Sequence, residues 1–203
     1  MATVQILQCN GCGANLSPAN TTCEYCGSVN IIKSEVNPFK LDANLSRQYT
    51  QYFKDKASQD PKDTNALYSL GLFYLGLKNY DLALRNFKEA IDQSPDNPDI
   101  YYHYAMTLTA GRKPRKLMIN DIKKIEEYVK TAMQMESQAK YCYMLAMVKN
   151  DFYPANGMKM SEPGPGALIA EGETLPQSPE DIDLILEHIV IKDEDIIARI
   201  KKQ

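Results

Sequence analysis

Between residues 42 and 152, apolar side chains recur every three or four positions, the period of helices that bury one face. Leu67, Leu70 and Tyr74 stripe one predicted helix, and Ala83, Phe87 and Ala90 stripe the next, with a turn at Lys78 and Asn79 between them. Tyr49, Phe53 and Ala57 predict a helix upstream, and Tyr101, Tyr104, Ala105 and Leu108 predict one downstream that starts at Pro98. Breaks fall at Asp60 and Pro61 and again at residues 95–98, because proline cannot continue a helix and pushes the residue before it out of the helical region. Residues 111–116 interrupt the period, which resumes with Ile122, Ile125, Val129 and Ala132 and returns after Ala139 with Tyr141, Leu145 and Val148. The first residues follow a different rule. Val4, Gln5 and Ile6 alternate as a strand does, residues 29–32 predict a strand returning beside residues 4–7, and a short hairpin passes through residues 14–16 and 18–20.

These patterns divide the chain into residues 1–35, 42–152, 153–178 and 179–203. The third region holds Pro154, Pro163, Pro165 and Pro176 with Gly157, Gly164, Gly166 and Gly172, and reads as a linker or long irregular segment. The fourth opens on Ser178, Pro179, Glu180 and Asp181, which supply a cap, a proline for the first helical position and acids for the first turn. Ile182, Ile185, Leu186, Ile189 and Val190 follow on one predicted face, and Asp193 restarts a short helix bearing Ile196, Ile197 and Ile200. Left in water this stripe would be costly, so residues 179–200 are expected to dock on the helical region, either capping its end or lying in its concave face.

Composition adds one strong signal. Cys9, Cys12, Cys23 and Cys26, four of the five cysteines, form two C-x-x-C pairs, each followed by a glycine, Gly13 and Gly27. Two-residue spacing lets both thiolates of a pair reach one tetrahedral ion, and glycine permits the left-handed turn that aims backbone N–H groups at sulfur. Four sulfur ligands leave no open position for catalysis, so the metal reads as structural Zn2+. Iron also suits thiolates, and a redox dithiol is the competing use. Across residues 7–32 the chain resembles the zinc-ribbon family, whose knuckles carry this pattern; the resemblance implies that the four cysteines are the zinc ligands.

A second resemblance rests on Leu67, Leu70, Gly71, Tyr74, Tyr80, Ala83, Phe87, Ala90 and Pro95, which stand in the order of a tetratricopeptide repeat (TPR) over residues 64–97, with Leu67 where tryptophan is usual. A modified second unit begins at Pro98 and a third pair near Ala139. The resemblance implies a concave face that holds a peptide or protein, lined here by Asn65, Tyr68, Leu72 and Leu75 and then by Asp99, Tyr102, His103, Met106 and Thr109. Tyr102 and His103 stand where one subtype of the family uses residues that grip a peptide carboxylate, which disfavours that mode.

The net charge of −3 and pI of about 5.5 do not mark a general nucleic-acid binder. The local run Arg112, Lys113, Arg115 and Lys116 is a set of candidate phosphate contacts and carries the alternative of a nucleic-acid-associated factor. Nine acids between Glu171 and Asp195 against Lys192 give the C-terminal region the opposite sign, and Asp181 and Asp183 are expected to approach that basic run. His103 and His188 read as surface or groove residues and Cys142 as a buried thiol. The expectation is a mainly α protein: a short TPR-like α-solenoid with a small N-terminal β zinc ribbon and a C-terminal amphipathic helix. It is read as a cytoplasmic, non-enzymatic adaptor for a protein or peptide, with no membrane role, because no nucleophile–base pair or open metal constellation stands out.

Overall fold

The computed structural model describes residues 4–9, 11–16, 20, 22–28 and 31–202. They form two compact units, Met1–Gln93 and Ser94–Gln203. Among the described residues no helix is long and apolar enough to cross a membrane.

The first unit opens with strand β1 (Val4–Cys9), which pairs antiparallel with β2 (Asn15–Leu16) on one edge and with β3 (Ile31–Val36) on the other. Leu7 faces Leu16 in one register, and Val4 faces Val36 and Cys9 faces Ile31 in the other. The returning strand pairs in a different register from the expected one: residues 33–36 lie beside residues 4–7, and Ile32 stands opposite Gln8. In the turn before it, the Cys23 N–H donates to the Ser28 carbonyl. Residues 18, 19, 29 and 30, which belong to the expected hairpin and strand, lie outside the described residues.

Helix α1 (Ala43–Gln59) starts at Asp42, whose carboxylate accepts the N–H groups of Asn44 and Leu45, and stops at the Asp60 and Pro61 break. Helix α2 (Thr64–Gly76) is capped by Asp63, which accepts the Ala66 N–H, and pairs with α3 (Tyr80–Gln93). Phe87 on α3 lies over Gly71 on α2, where an added Cβ would overlap the ring. Both positions are buried, so the ring has nowhere to move. Gly71→Ala is expected to destabilise the unit by about 1–3 kcal/mol through overpacking. A denaturation midpoint equal to or above that of the unsubstituted chain would show that the ring yields.

Residues 1–35 and the helices were expected as separate modules. The structure instead gives them a shared buried residue, Tyr49 of α1. Its hydroxyl accepts the Leu7 N–H at 2.7 Å and donates to the Leu16 carbonyl at 2.6 Å, while its ring stacks on Phe73 of α2 with centroids 6.1 Å apart.

The second unit is built from α4 (Pro98–Leu108) packed on α5 (Ile119–Met135), then α6 (Ala139–Phe152) packed on α7 (Pro165–Gly172), followed by α8 (Pro179–His188) and α9 (Glu194–Lys201). Ile122, Ile125, Val129 and Ala132 of α5 are fully buried, as their spacing predicts. Residues 153–178 are not the irregular linker expected: they contain α7, which buries Leu168 and Ile169 and supplies the partner that α6 needs. Proline at the first turn of α7 is compatible with a helix start, which the reading of prolines as breaks overlooked. The loop before α7 is tied down by Lys149, a buried lysine of α6 whose ammonium donates to the Ser161 carbonyl at 2.6 Å and the Pro163 carbonyl at 2.7 Å.

Residues 179–200 do dock: α8 packs on α4 and α6, and α9 packs on α8. The buried side chains of α8 are Ile182, Leu184, Ile185 and His188, continued by Ile189 and Ile191; Leu186 is half-buried and Val190 exposed, so the buried face is turned relative to the expected stripe.

Candidate functional site

The four cysteines are brought together by two similar turns. In the first, the Gly13 N–H donates to the Cys9 carbonyl at 2.9 Å; in the second, the Gly27 N–H donates to the Cys23 carbonyl at 2.8 Å. Gly13 and Gly27 have φ of 74° and 70°, the left-handed conformation that glycine adopts without a Cβ penalty. Cys9 ends β1, so the sheet fixes the first turn, and the Gly11 N–H points at the Cys9 Sγ at 3.3 Å.

All four Sγ atoms lie within 4.8 Å of one another, with Cys9 to Cys26 at 3.5 Å and Cys12 to Cys23 at 3.7 Å. A tetrahedral ion with bonds of about 2.3 Å separates its sulfurs by about 3.8 Å. A disulfide would bring them to about 2.05 Å. The arrangement therefore could hold a metal ion and is not a pair of disulfides. The Cys12 N–H and then the Gly11 N–H lower the Cys9 thiol to about 6 against burial, whereas Cys26, despite the Ser28 N–H, is pushed up by the neighbouring Cys9 and Cys12 sulfurs, so one proton is shared unevenly across the cluster. The packed centre around the site is Cys9, Leu16 and Cys23 with Leu7 against them, so half of the ligands are themselves the core.

The expected groove residues fall into two sets. On α2, Asn65 is exposed and Tyr68 half-buried, whereas Leu72 and Leu75 are fully buried. On α4, Tyr102, His103, Met106 and Thr109 are all at most 1% exposed, and only Asp99 keeps partial access. Asp99 pairs with the Lys140 ammonium at 2.6 Å and accepts from the Tyr141 hydroxyl at 2.9 Å, and the Tyr102 and Tyr141 ring centroids lie 5.2 Å apart. Lys140 stands over both rings, with its ammonium 5.4 Å and 5.3 Å from their centroids. Thr109 donates to the His188 carbonyl at 3.4 Å, so the C-terminal segment covers this end of α4. The two histidines, expected at the surface or in the groove, are both buried, and burial pushes His103 down to about 4, a neutral imidazole at neutral pH. Cys142 is buried as expected, and burial raises its thiol to about 11.

The basic run does not act as one patch. Arg115 is held by Asp151 of α6, which its guanidinium meets from the side-chain nitrogens while its backbone N–H donates to the same carboxylate at 2.9 Å. Arg112 and Lys116 are exposed and Lys113 half-buried. The acids expected to meet this run lie elsewhere. Asp181 shares a cavity with Gln138 and Lys140 at the start of α6, whereas Asp151 and Arg115 mark its end. Asp193 accepts from Asn150 at 2.9 Å, so α8 begins at the start of α6 and the chain leaves it near the end. The Arg115–Asp151 pair escaped the sequence reading because its partners are 36 residues apart with no local pattern joining them.

Comparison with known proteins supports this architecture. The sequence pattern of the tetratricopeptide repeat matches residues 64–97, which contain α2 and α3. A thermophilic TPR protein in Thermus thermophilus, known from its crystal structure, is similar in fold, with a TM-score of 0.52 and 17% sequence identity over 78% of this chain and 90% of that one. None of the curated proteins matches the chain. The fold is mainly α and TPR-like with a small N-terminal sheet, as the spacing predicts.

Proposed function

We propose that the chain is a non-enzymatic adaptor that holds a protein or peptide partner on the inner face of its helical pairs. The observation that carries this reading is the coincidence of the repeat pattern at residues 64–97 with the packed pair α2 and α3. Stacked pairs of this kind leave the first helix of each pair on a concave surface, and partner binding is the general use of that surface. Asn65 and Tyr68 are the positions of this face on α2 with side chains reachable from solvent.

The cysteine centre would hold a structural zinc ion through Cys9, Cys12, Cys23 and Cys26, and all four positions of the ion are then taken by sulfur. Zinc would supply four bonds that tie the two turns together, a folding role for a segment whose packed centre, among the described residues, is Leu16 and two of the ligands. The nucleic-acid alternative gains no support from the basic run, because Arg115 is neutralised by Asp151.

The test compares the unsubstituted chain with the Asn65→Ala, Tyr68→Ala double variant in capture of partners that cross-link to the chain in cells. The buried pair Tyr102 and Met106 is a poor choice, since truncation there would leave cavities and lower stability. Loss of a captured partner by about tenfold, equivalent to about 1.4 kcal/mol, with unchanged circular dichroism, is expected. Equal capture by both chains would place the interaction elsewhere.

A further inference from the structure

Helix α8 packs on α4 and α6, the first helices of two successive pairs, and these are the helices that line the inner face of such a stack. Its buried Ile182 and Ile185, with Ile189 just beyond its end, follow the i, i+3, i+7 spacing by which an amphipathic helix sits in a groove. Its first turn carries Glu180 and Asp181, and Asp181 lines the same small cavity as the buried Lys140.

The polar contacts where this segment meets α4 and α6 are incompletely matched. Around that cavity, of about 20 Å³, the Tyr143 hydroxyl and the Gln177 side-chain oxygen are buried without a hydrogen-bond partner among the described residues. The Ser178 hydroxyl turns to Glu180 rather than capping the helix, and the Thr109 bond to the His188 carbonyl is long at 3.4 Å. A ten-residue helix is also too short to persist alone, so the segment would be helical only while seated.

We propose that α8 is an internal ligand. It occupies the inner face of α4 and α6 in place of a partner, and the partner this face accepts is an amphipathic helix with branched apolar residues at i, i+3 and i+7 behind an acidic first turn. The proposal rests on the inner-face reading above and names the chemistry of the occupant. Binding in trans then requires that α8 leave, so the seated segment sets the threshold for partner entry.

The probe is a fluorescein-labelled peptide of residues 177–202, and the control peptide carries Ser in place of Ile182, Ile185 and Ile189. The full chain bearing Ile185→Asp is expected to bind the probe at least tenfold more tightly than the unsubstituted chain, and to ignore the control peptide. Probe uptake no better than that of the unsubstituted chain, with helical circular dichroism retained, would overturn the proposal. If Ile185→Asp loses its helical signal, a second variant decides. A protease site inserted after the exposed Thr174 is cut in the folded chain, and excess probe should then replace the native segment. A segment that never exchanges, or a cut chain that collapses on its release, would make α8 part of the core and not a ligand. Probe uptake together with unchanged capture by the Asn65→Ala, Tyr68→Ala chain would refute the α2 reading alone, and the reverse combination would refute only the role of α8.

Discussion

Cys23→Ser takes the expected metal content from one ion per chain to near zero and unfolds the N-terminal sheet. Cys23 is both a proposed ligand and one of three buried residues at the centre of the segment. The other apolar residue buried in that centre, Leu16, is worth about 1.5–3 kcal/mol on burial. A structural zinc ion in a small four-ligand site contributes about 10–16 kcal/mol of apparent binding free energy at neutral pH. A bound zinc would therefore outweigh the described apolar centre, and a serine oxygen in place of one thiolate would remove a bond that this centre does not replace. Elemental analysis of protein purified without added metal checks the stoichiometry, and amide exchange of β1 checks the fold. A strong chelator should reproduce both effects in the unsubstituted chain. Retention of one ion per chain by Cys23→Ser, or metal-free unsubstituted protein with an intact sheet, would remove the structural metal from the account.

The second large effect is expected at Tyr49. Tyr49→Ala deletes a buried ring stacked on Phe73 and within 6.4 Å of Phe53, and truncations of that size cost about 3–5 kcal/mol. It also removes the hydroxyl that holds the Leu7 N–H and the Leu16 carbonyl. Tyr49→Phe separates the two contributions: the ring stays, and two backbone groups lose their partner, at about 1–3 kcal/mol for a group left unpaired away from water. The order expected in thermal melts is Tyr49→Ala well below Tyr49→Phe, and Tyr49→Phe below the unsubstituted chain. Metal content should stay unchanged in Tyr49→Phe, because Tyr49 contacts the strands and is not one of the four sulfur donors. A neutral Tyr49→Phe would mean that the hydroxyl bonds do not couple sheet and helices.

Tyr49 also marks how far a linear pattern reaches. Its apolar spacing with Phe53 was readable as a helix face, but its hydroxyl bonds span 42 and 33 residues and follow no period. Local rules with short memory were legible throughout. Each C-x-x-C-G turn needs only its own residues, and the repetition of the pattern is what made a four-thiol cluster legible, although the sulfur contacts themselves join the two turns. The α2 and α3 pair is equally local, since Gly71 and Phe87 announce a close helix contact within one repeat.

What escaped the pattern was decided by packing between distant segments. Helix α7 was hidden because proline and glycine at its start read as breaks, while its existence depends on the apolar face of α6 awaiting cover. The turned face of α8 has the same origin: a ten-residue helix with apolar residues on two sides buries whichever side meets its neighbours, and α4, α6 and α9 select Leu184 and His188 over Leu186 and Val190. Tyr102, His103 and Met106 are expected in the groove from repeat position alone, which specifies a face and not its exposure. Their burial reflects contacts from distant segments, such as the Thr109 bond to His188 across 79 residues. Hydrophobic burial is non-directional, so periodicity tells which side of a helix must be covered and leaves the identity of the cover to the folded chain.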